Sequence, residues 1–310
     1  MTTVPITSAD PVESDSILIA SAEGVTLPAV LYGDADSAQA AVVVNSALGV
    51  PHAFYRTFAS FLVRQGYCVL CYDYQHNAVQ NVASLRGSRV RVTDWAQRDF
   101  AAAVRYLRTE VPGRPLICIG HSIGGQLPGL AGDAVGIDAL IGVCSQSGEW
   151  RLWSGAARRR TWLQFHLIVP LFTAALGYFP GQRHGLCNMP RGVAWQWAHW
   201  CRLRGYATHP RAGHATGFSA LRSPALFIST YDDQALAPRE AVDALGALYL
   251  NAPRERLHIG AADVGGRAVG HFGFFNPATG RRLWPRLVKW LQSQPLKTGA
   301  TCPMSEPTRA

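Results

Sequence analysis

Lysine is nearly missing from this chain of 310 residues: Lys289 and Lys297 stand alone among 29 basic side chains. Charge of any kind is scarce, at 16% of residues against 48% hydrophobic. So little charge over so much apolar content excludes a disordered chain, a coiled coil and a collagen-like fibre. Acids run short in one place above all. Between Gly148 and Arg222 ten arginines meet a single acid, Glu149, and this stretch holds the whole formal charge of +9, because the remainder has 19 basic and 19 acidic residues. Arginine suits planar recognition of carboxylate or phosphate, but the stretch carries no nucleic-acid motif, and no nucleic-acid partner is expected.

Other absences narrow the class further. Met1 to Asp15 has neither a basic n-region nor an apolar h-region, so no secretory signal is read and a cytoplasmic location is expected. The longest apolar stretch, Thr161 to Pro180, approaches the length of a bilayer span but contains Gln164, His166 and Pro170, so no transmembrane segment is expected. The seven cysteines are an odd number, and Cys68, Cys71, Cys118 and Cys144 fall in apolar runs, where they act as small core hydrophobes. Cys68-x-x-Cys71 has a metal-like spacing, yet on a strand residues three apart face opposite sides. His209 and His214 have no cysteine or carboxylate neighbours and read as solvated, so neither metal nor cofactor is expected.

What is present is an alternation of short apolar runs with amphipathic helical patterns, the pattern of an α/β fold on a mainly parallel sheet. Ser16 to Ala20 and Val25 to Tyr32, joined at Glu23-Gly24, read as a hairpin. Strands follow at Ala40 to Asn45, Tyr67 to Tyr74, Pro115 to Gly120, Ile137 to Cys144, Ala225 to Thr230 and Arg256 to Ile259. Helices are predicted at His52 to Gln65, Thr93 to Leu107, Gly124 to Ala131, Arg239 to Leu250 and Arg281 to Gln292. Between Ser145 and Ser223 the alternation stops and six of the nine tryptophans appear. The expected organisation is one catalytic domain from 1–144 and 224–294, an inserted cap over 145–223, and a frayed tail from 295–310.

Chemistry enters at Gly120-His121-Ser122-Ile123-Gly124, a G-x-S-x-G pattern. Such a pattern arises by chance roughly once in six chains of this composition and length, so its position after a buried strand and before a helix is what gives it weight. A strained turn there lifts a serine hydroxyl above the sheet. Serine needs a base, and the base needs an acceptor that fixes its tautomer. Asp232-Asp233 follows a later strand and His271 lies before the last helix, which is the order such sites require. Asp233 is the favoured acid, with Asp232 the alternative. The oxyanion amides are expected from Ile123 and from Ala47, with Leu48 the alternative to the latter. His121 reads as a neighbour shaping the elbow, and His258, inside a strand, as structural.

On these residues the chain resembles the α/β-hydrolase superfamily, and more narrowly a branch of bacterial serine hydrolases. Asn45 to Gly49 followed by Tyr55-Arg56-x-Phe58-Ala59, Asp73-Tyr74, Gly120 to Gly125, Asp232-Asp233 and Gly270 to Phe275 carry the resemblance, as do Glu149 to Trp153 and Pro190 to Trp197. One departure is Gln75-His76-Asn77, where many relatives have an Arg-Gly-x-Gly turn. The resemblance implies an ester or thioester hydrolase acting on a small acyl substrate through an acyl-enzyme. An acyltransferase with the same residues, or an idle scaffold used for binding, are the alternatives. Trp150, Trp153 and Trp162 are candidates to roof an acyl pocket, and Arg158 to Arg160 to form a rim that attracts an anionic or lipid-like substrate. Nothing in the sequence bears on oligomeric state.

Overall fold

A computed structural model of the chain describes residues 12–78, 81–132, 136–184, 187–214 and 216–296. Strands β1 (Ser14–Ala22) and β2 (Val25–Tyr32) form the predicted hairpin at one edge. β3 (Ala40–Asn45), β4 (Tyr67–Tyr72), β5 (Leu116–His121) and β6 (Ala139–Val143) follow, every residue of them buried. Continuous apolar runs of this kind belong in a sheet covered on both faces. The two-residue strands β7 (Tyr178–Phe179) and β8 (Met189–Pro190) make a separate antiparallel ribbon. The chain then returns with β9 (Ala225–Thr230) and the edge strand β10 (Arg254–Ile259).

The large sheet has the order β1-β2-β4-β3-β5-β6-β9-β10, antiparallel in the pairs β1/β2 and β2/β4 and parallel in all others. The chain runs from β3 to one side, into β4, and then crosses to the other side, into β5. At such a switch point the loops leaving neighbouring strands part and open a crevice at their carboxyl ends. The register sets Asn45 beside Gly120 and His121 beside Val143, so the loops after β3, β5 and β6 emerge side by side.

Helix boundaries differ from those predicted. The segment after β3 begins with a tight turn at His52–Tyr55 before helix Arg56–Val63. The helix expected at Thr93 to Leu107 runs on to Glu110 and contains a π-helical stretch, Trp95–Phe100, where buried Asp99 accepts hydrogen bonds from Ser21 and Gln75. Between β6 and β9 the described residues contribute no strand to the large sheet. It forms a helix over 155–176, with a π-helical stretch at Gln164–Ile168, and a second helix, Arg191–Arg202. Their buried side chains, including Phe165, Val169, Trp197 and Trp200, join the same apolar core as the sheet. No helix among the described residues is long and apolar enough to cross a membrane. The tail expected from residue 295 lies almost wholly outside the described residues.

Candidate active site

The turn after β5 shows why glycines surround the serine. A Cβ on Gly120 would strike the backbone of Gly124 and Gly125, and one on Gly124 would strike the carbonyl of Asn45. Ser122 has φ of 54°, a left-handed conformation that a side chain adopts only when its surroundings impose it. The turn thereby sets the serine into the wall of a cavity of about 720 Å³. His271 and Phe272 line the same cavity, with Ala47, Leu48 and Ile123 among the lining residues near the serine.

His271 is buried, and its Nδ1 lies 2.6 Å from Oδ2 of Asp233. Oδ1 of Asp233 accepts from the amides of Leu236 and Ala237 at 3.2 Å each, so the carboxylate is held from both sides. Asp232 does something else. Its two oxygens accept from the amides of Val269 and Gly270, at 2.8 and 2.9 Å, and pin the loop that carries His271. The Cys144 thiol lies with Asp233 and His271 in a group whose donor atoms are all within 4.8 Å of one another. Burial, and then the charge of Asp233, push that thiol well above its usual range, which keeps it in the protonated form.

Ala47, the expected oxyanion donor, already has an acceptor for its amide. Its amide donates to the Tyr55 hydroxyl at 2.8 Å. The Gly49 amide donates to Oδ1 of Asn77 at 2.7 Å and the Val50 amide to the Ala47 carbonyl. Among the four amides from 47 to 50, only that of Leu48 has no acceptor within the described residues. Two residues that the sequence reading left without a role hold this loop. Asn77, in the stretch that departs from relatives, also donates through Nδ2 to the carbonyls of Ala47 and Val50. Tyr55 sits in a motif that carries the resemblance, but nothing in the motif says where its hydroxyl goes.

The polarity around Tyr55 is forced. Having accepted from Ala47, its hydroxyl lies 2.9 Å from Nδ1 of His121. Nε2 of His121 lies 2.9 Å from the His271 carbonyl, which can only accept, so Nε2 carries the proton and Nδ1 accepts from Tyr55. Burial, then the neighbouring His271, hold the His121 pKa well below the usual imidazole value and keep the ring neutral. A single chain of hydrogen bonds therefore joins the loop after β3, the residue before the serine, and the backbone of His271.

Of the tryptophans expected over the pocket, Trp153 lines the cavity and donates to the Ala235 carbonyl, beside the Asp233 turn. Trp150 and Trp162 do not line it. Trp150 lies beneath the guanidinium groups of Arg151 and Arg158, and Trp162 stacks on His166 at the surface. Trp197 lines the cavity instead. Of the three consecutive arginines only Arg160 reaches it. His258 bonds Ser229 within the sheet, whereas His214, expected in solvent, packs against Trp200.

Residues 36–139 match the model of the serine aminopeptidase S33 family. No curated protein matches the sequence. Among solved structures, the chain is similar to a thermostable carboxyl esterase of Bacillus coagulans, at 12% identity and a TM-score of 0.62, over 90% of this chain and 98% of that one. It is similar to an esterase of Pyrococcus furiosus, at 14% identity and a TM-score of 0.57, over 95% and 97%. A Rhodococcus esterase shares the fold at 15% identity and a TM-score of 0.55, over 90% and 99%. The matched stretch spans β3 to the start of β6, and with the architecture common to these neighbours it shows that the chain has the α/β-hydrolase fold.

Proposed function

We propose that this α/β-hydrolase cleaves a carboxylic ester or thioester through an acyl-enzyme on Ser122. The reading rests above all on one observation: a serine held at positive φ shares a cavity wall with a histidine whose Nδ1 meets a buried carboxylate. Asp233 fixes the tautomer of His271 with the proton on Nδ1 and Nε2 free to accept. Ser122 Oγ attacks the acyl carbonyl as its proton passes to His271 Nε2, and the negative charge gathers on the carbonyl oxygen. In this reading the amides of Ile123 and Leu48 hold that oxygen. Collapse expels the alcohol or thiol, which takes the proton from His271. Water, deprotonated by the same nitrogen, then releases the carboxylic acid. No cofactor enters any step.

Residues 145–223 act as a cap in this reading, since both of their longer helices contribute to the cavity, through Ala157, Gln164 and Phe165 on one and Trp197 on the other. The apolar roof favours medium or long acyl chains over acetyl. A fluorophosphonate probe is expected to label the purified protein on Ser122, and Ser122→Ala is expected to lose both labelling and hydrolysis across a panel of ester chain lengths. Hydrolysis that persists in Ser122→Ala removes the assignment.

A further inference from the structure

The helix over 155–176 has two faces with opposite characters. On the inner one Phe165, Val169 and Thr173 are buried, and Ala156, Ala157 and Gln164 face the cavity. On the outer one Arg159, Leu163, Leu167 and Leu171 stand four residues apart, and all are exposed. The three leucines are 43%, 52% and 70% exposed, and Trp162, beside the first, is 40% exposed. Side chains four apart on a helix form one stripe. Water is a costly place for such a stripe, because a leucine moved out of it gains about 1.5–3 kcal/mol when fully covered.

The charge around the stripe says what covers it. Arg158, Arg159 and Arg160 crowd the first turns of the helix, where the positive end of the helix dipole repels cations. The start of the helix offers them no counter-charge, and Arg159 has no ion-pair partner among the described residues. The surrounding stretch from 148 to 222 holds ten arginines and one acid, so it offers nothing to neutralise them. A second copy of the chain joined face to face about a twofold axis would bring these arginines toward their own kind. An anionic surface would not. Exposed apolar side chains with arginines at their border, on a helix too polar to span, are the makings of an element that lies in a lipid interface.

We propose that this outer face docks the protein on anionic bilayers, with Leu163, Leu167 and Leu171 entering the headgroup boundary and Arg158 and Arg159 meeting the lipid phosphates. The same helix then separates the cavity from the membrane, and a substrate dissolved in the bilayer has one helix to pass. This inference does not depend on the chemistry of Ser122.

The test is co-sedimentation of the purified full chain with vesicles, either pure phosphatidylcholine or a mixture with phosphatidylglycerol. Binding is expected to the mixed vesicles at least ~10-fold tighter than to the neutral ones, and to weaken as salt rises. The Arg158→Gln/Arg159→Gln variant is expected to lose about fivefold per charge, equivalent to about 1 kcal/mol each. The Leu163→Ser/Leu167→Ser/Leu171→Ser variant changes only exposed positions. It is expected to keep its melting temperature and its hydrolysis of short soluble esters while losing vesicle binding. Absence of binding to mixed vesicles, or binding that the leucine variant leaves intact, overturns the proposal. So does a dimer in sedimentation velocity that the leucine variant converts to monomer, because the stripe is then covered by a second copy.

Discussion

Tyr55 illustrates how one hydroxyl can hold two segments of the proposed active site at once. It accepts from the Ala47 amide and donates to His121, and His121 in turn donates to the backbone of His271. Tyr55→Phe keeps the ring contacts to Phe54 and Phe275 but leaves the Ala47 amide and His121 Nδ1 without partners. A freed Ala47 amide lets the loop rotate, and the Leu48 amide moves off the oxyanion position proposed for it. The variant is therefore expected to lose about 10- to 100-fold in kcat, short of the cost of deleting an oxyanion donor outright, with KM within about twofold. Equal losses in kcat and KM would assign Tyr55 to substrate binding, and an unchanged kcat would remove its positioning role. At this scale the sequence shows some residues and hides others for a definite reason. Ser122, His271 and the Asp232-Asp233 pair are legible because chain order and strand ends locate them. The choice between Ala47 and Leu48 is not, because it turns on which amide a distant tyrosine occupies. Asn77 is hidden in the same way, since its side chain acts on a loop that begins about thirty residues earlier.

The strands could be read from the sequence because continuous apolar runs bounded by turns admit few alternatives, and β3, β5 and β9 fall where those runs lie. The helix over 155–176 could not be phased in this way. Beyond residue 162 both of its sides are apolar, with Phe165 and Val169 inward and Leu163, Leu167 and Leu171 outward, so no single apolar stripe marks the inner face. Trp162 turns outward while Arg160 turns to the cavity rim. Among the described residues Arg160 is the sole arginine in that lining, and no lysine or acid accompanies it. It remains exposed, so its pull on a substrate is that of a solvent-screened ion pair. Arg160→Gln is expected to raise KM by about two- to fivefold for an ester bearing a distal carboxylate and to leave a neutral ester of equal length unchanged. Steady-state kinetics on the matched pair of esters decides it. An equal change for both esters would make Arg160 a packing residue of the helix.

The molecule as a whole has an acid limit that its histidines set. Burial holds His76, His121 and His214 below the ordinary imidazole pKa, with His121 the furthest depressed. The folded state therefore refuses protons that the unfolded chain takes up near pH 6.5. Above that pH both states are neutral at these positions and nothing is lost. As pH falls through 6.5 the unfolded state binds more protons, and stability drops with a slope of up to about 1.4 kcal/mol per pH unit for each histidine that stays neutral when folded. Asp99 acts in the opposite sense. Burial raises its pKa, so as pH falls the folded state gains a proton before the unfolded one, which offsets part of the histidine effect. Urea unfolding at pH 7.5, 6.5 and 5.5 is expected to show little change over the first interval and a clear loss over the second. His121→Gln is expected to be less stable at pH 7.5, because it breaks the link to His271, yet to lose less than the parent between pH 6.5 and 5.5. A parent protein as stable at pH 5.5 as at 7.5, or a His121→Gln variant with an unaltered pH slope, would mean that His121 takes up its proton without unfolding the site around it.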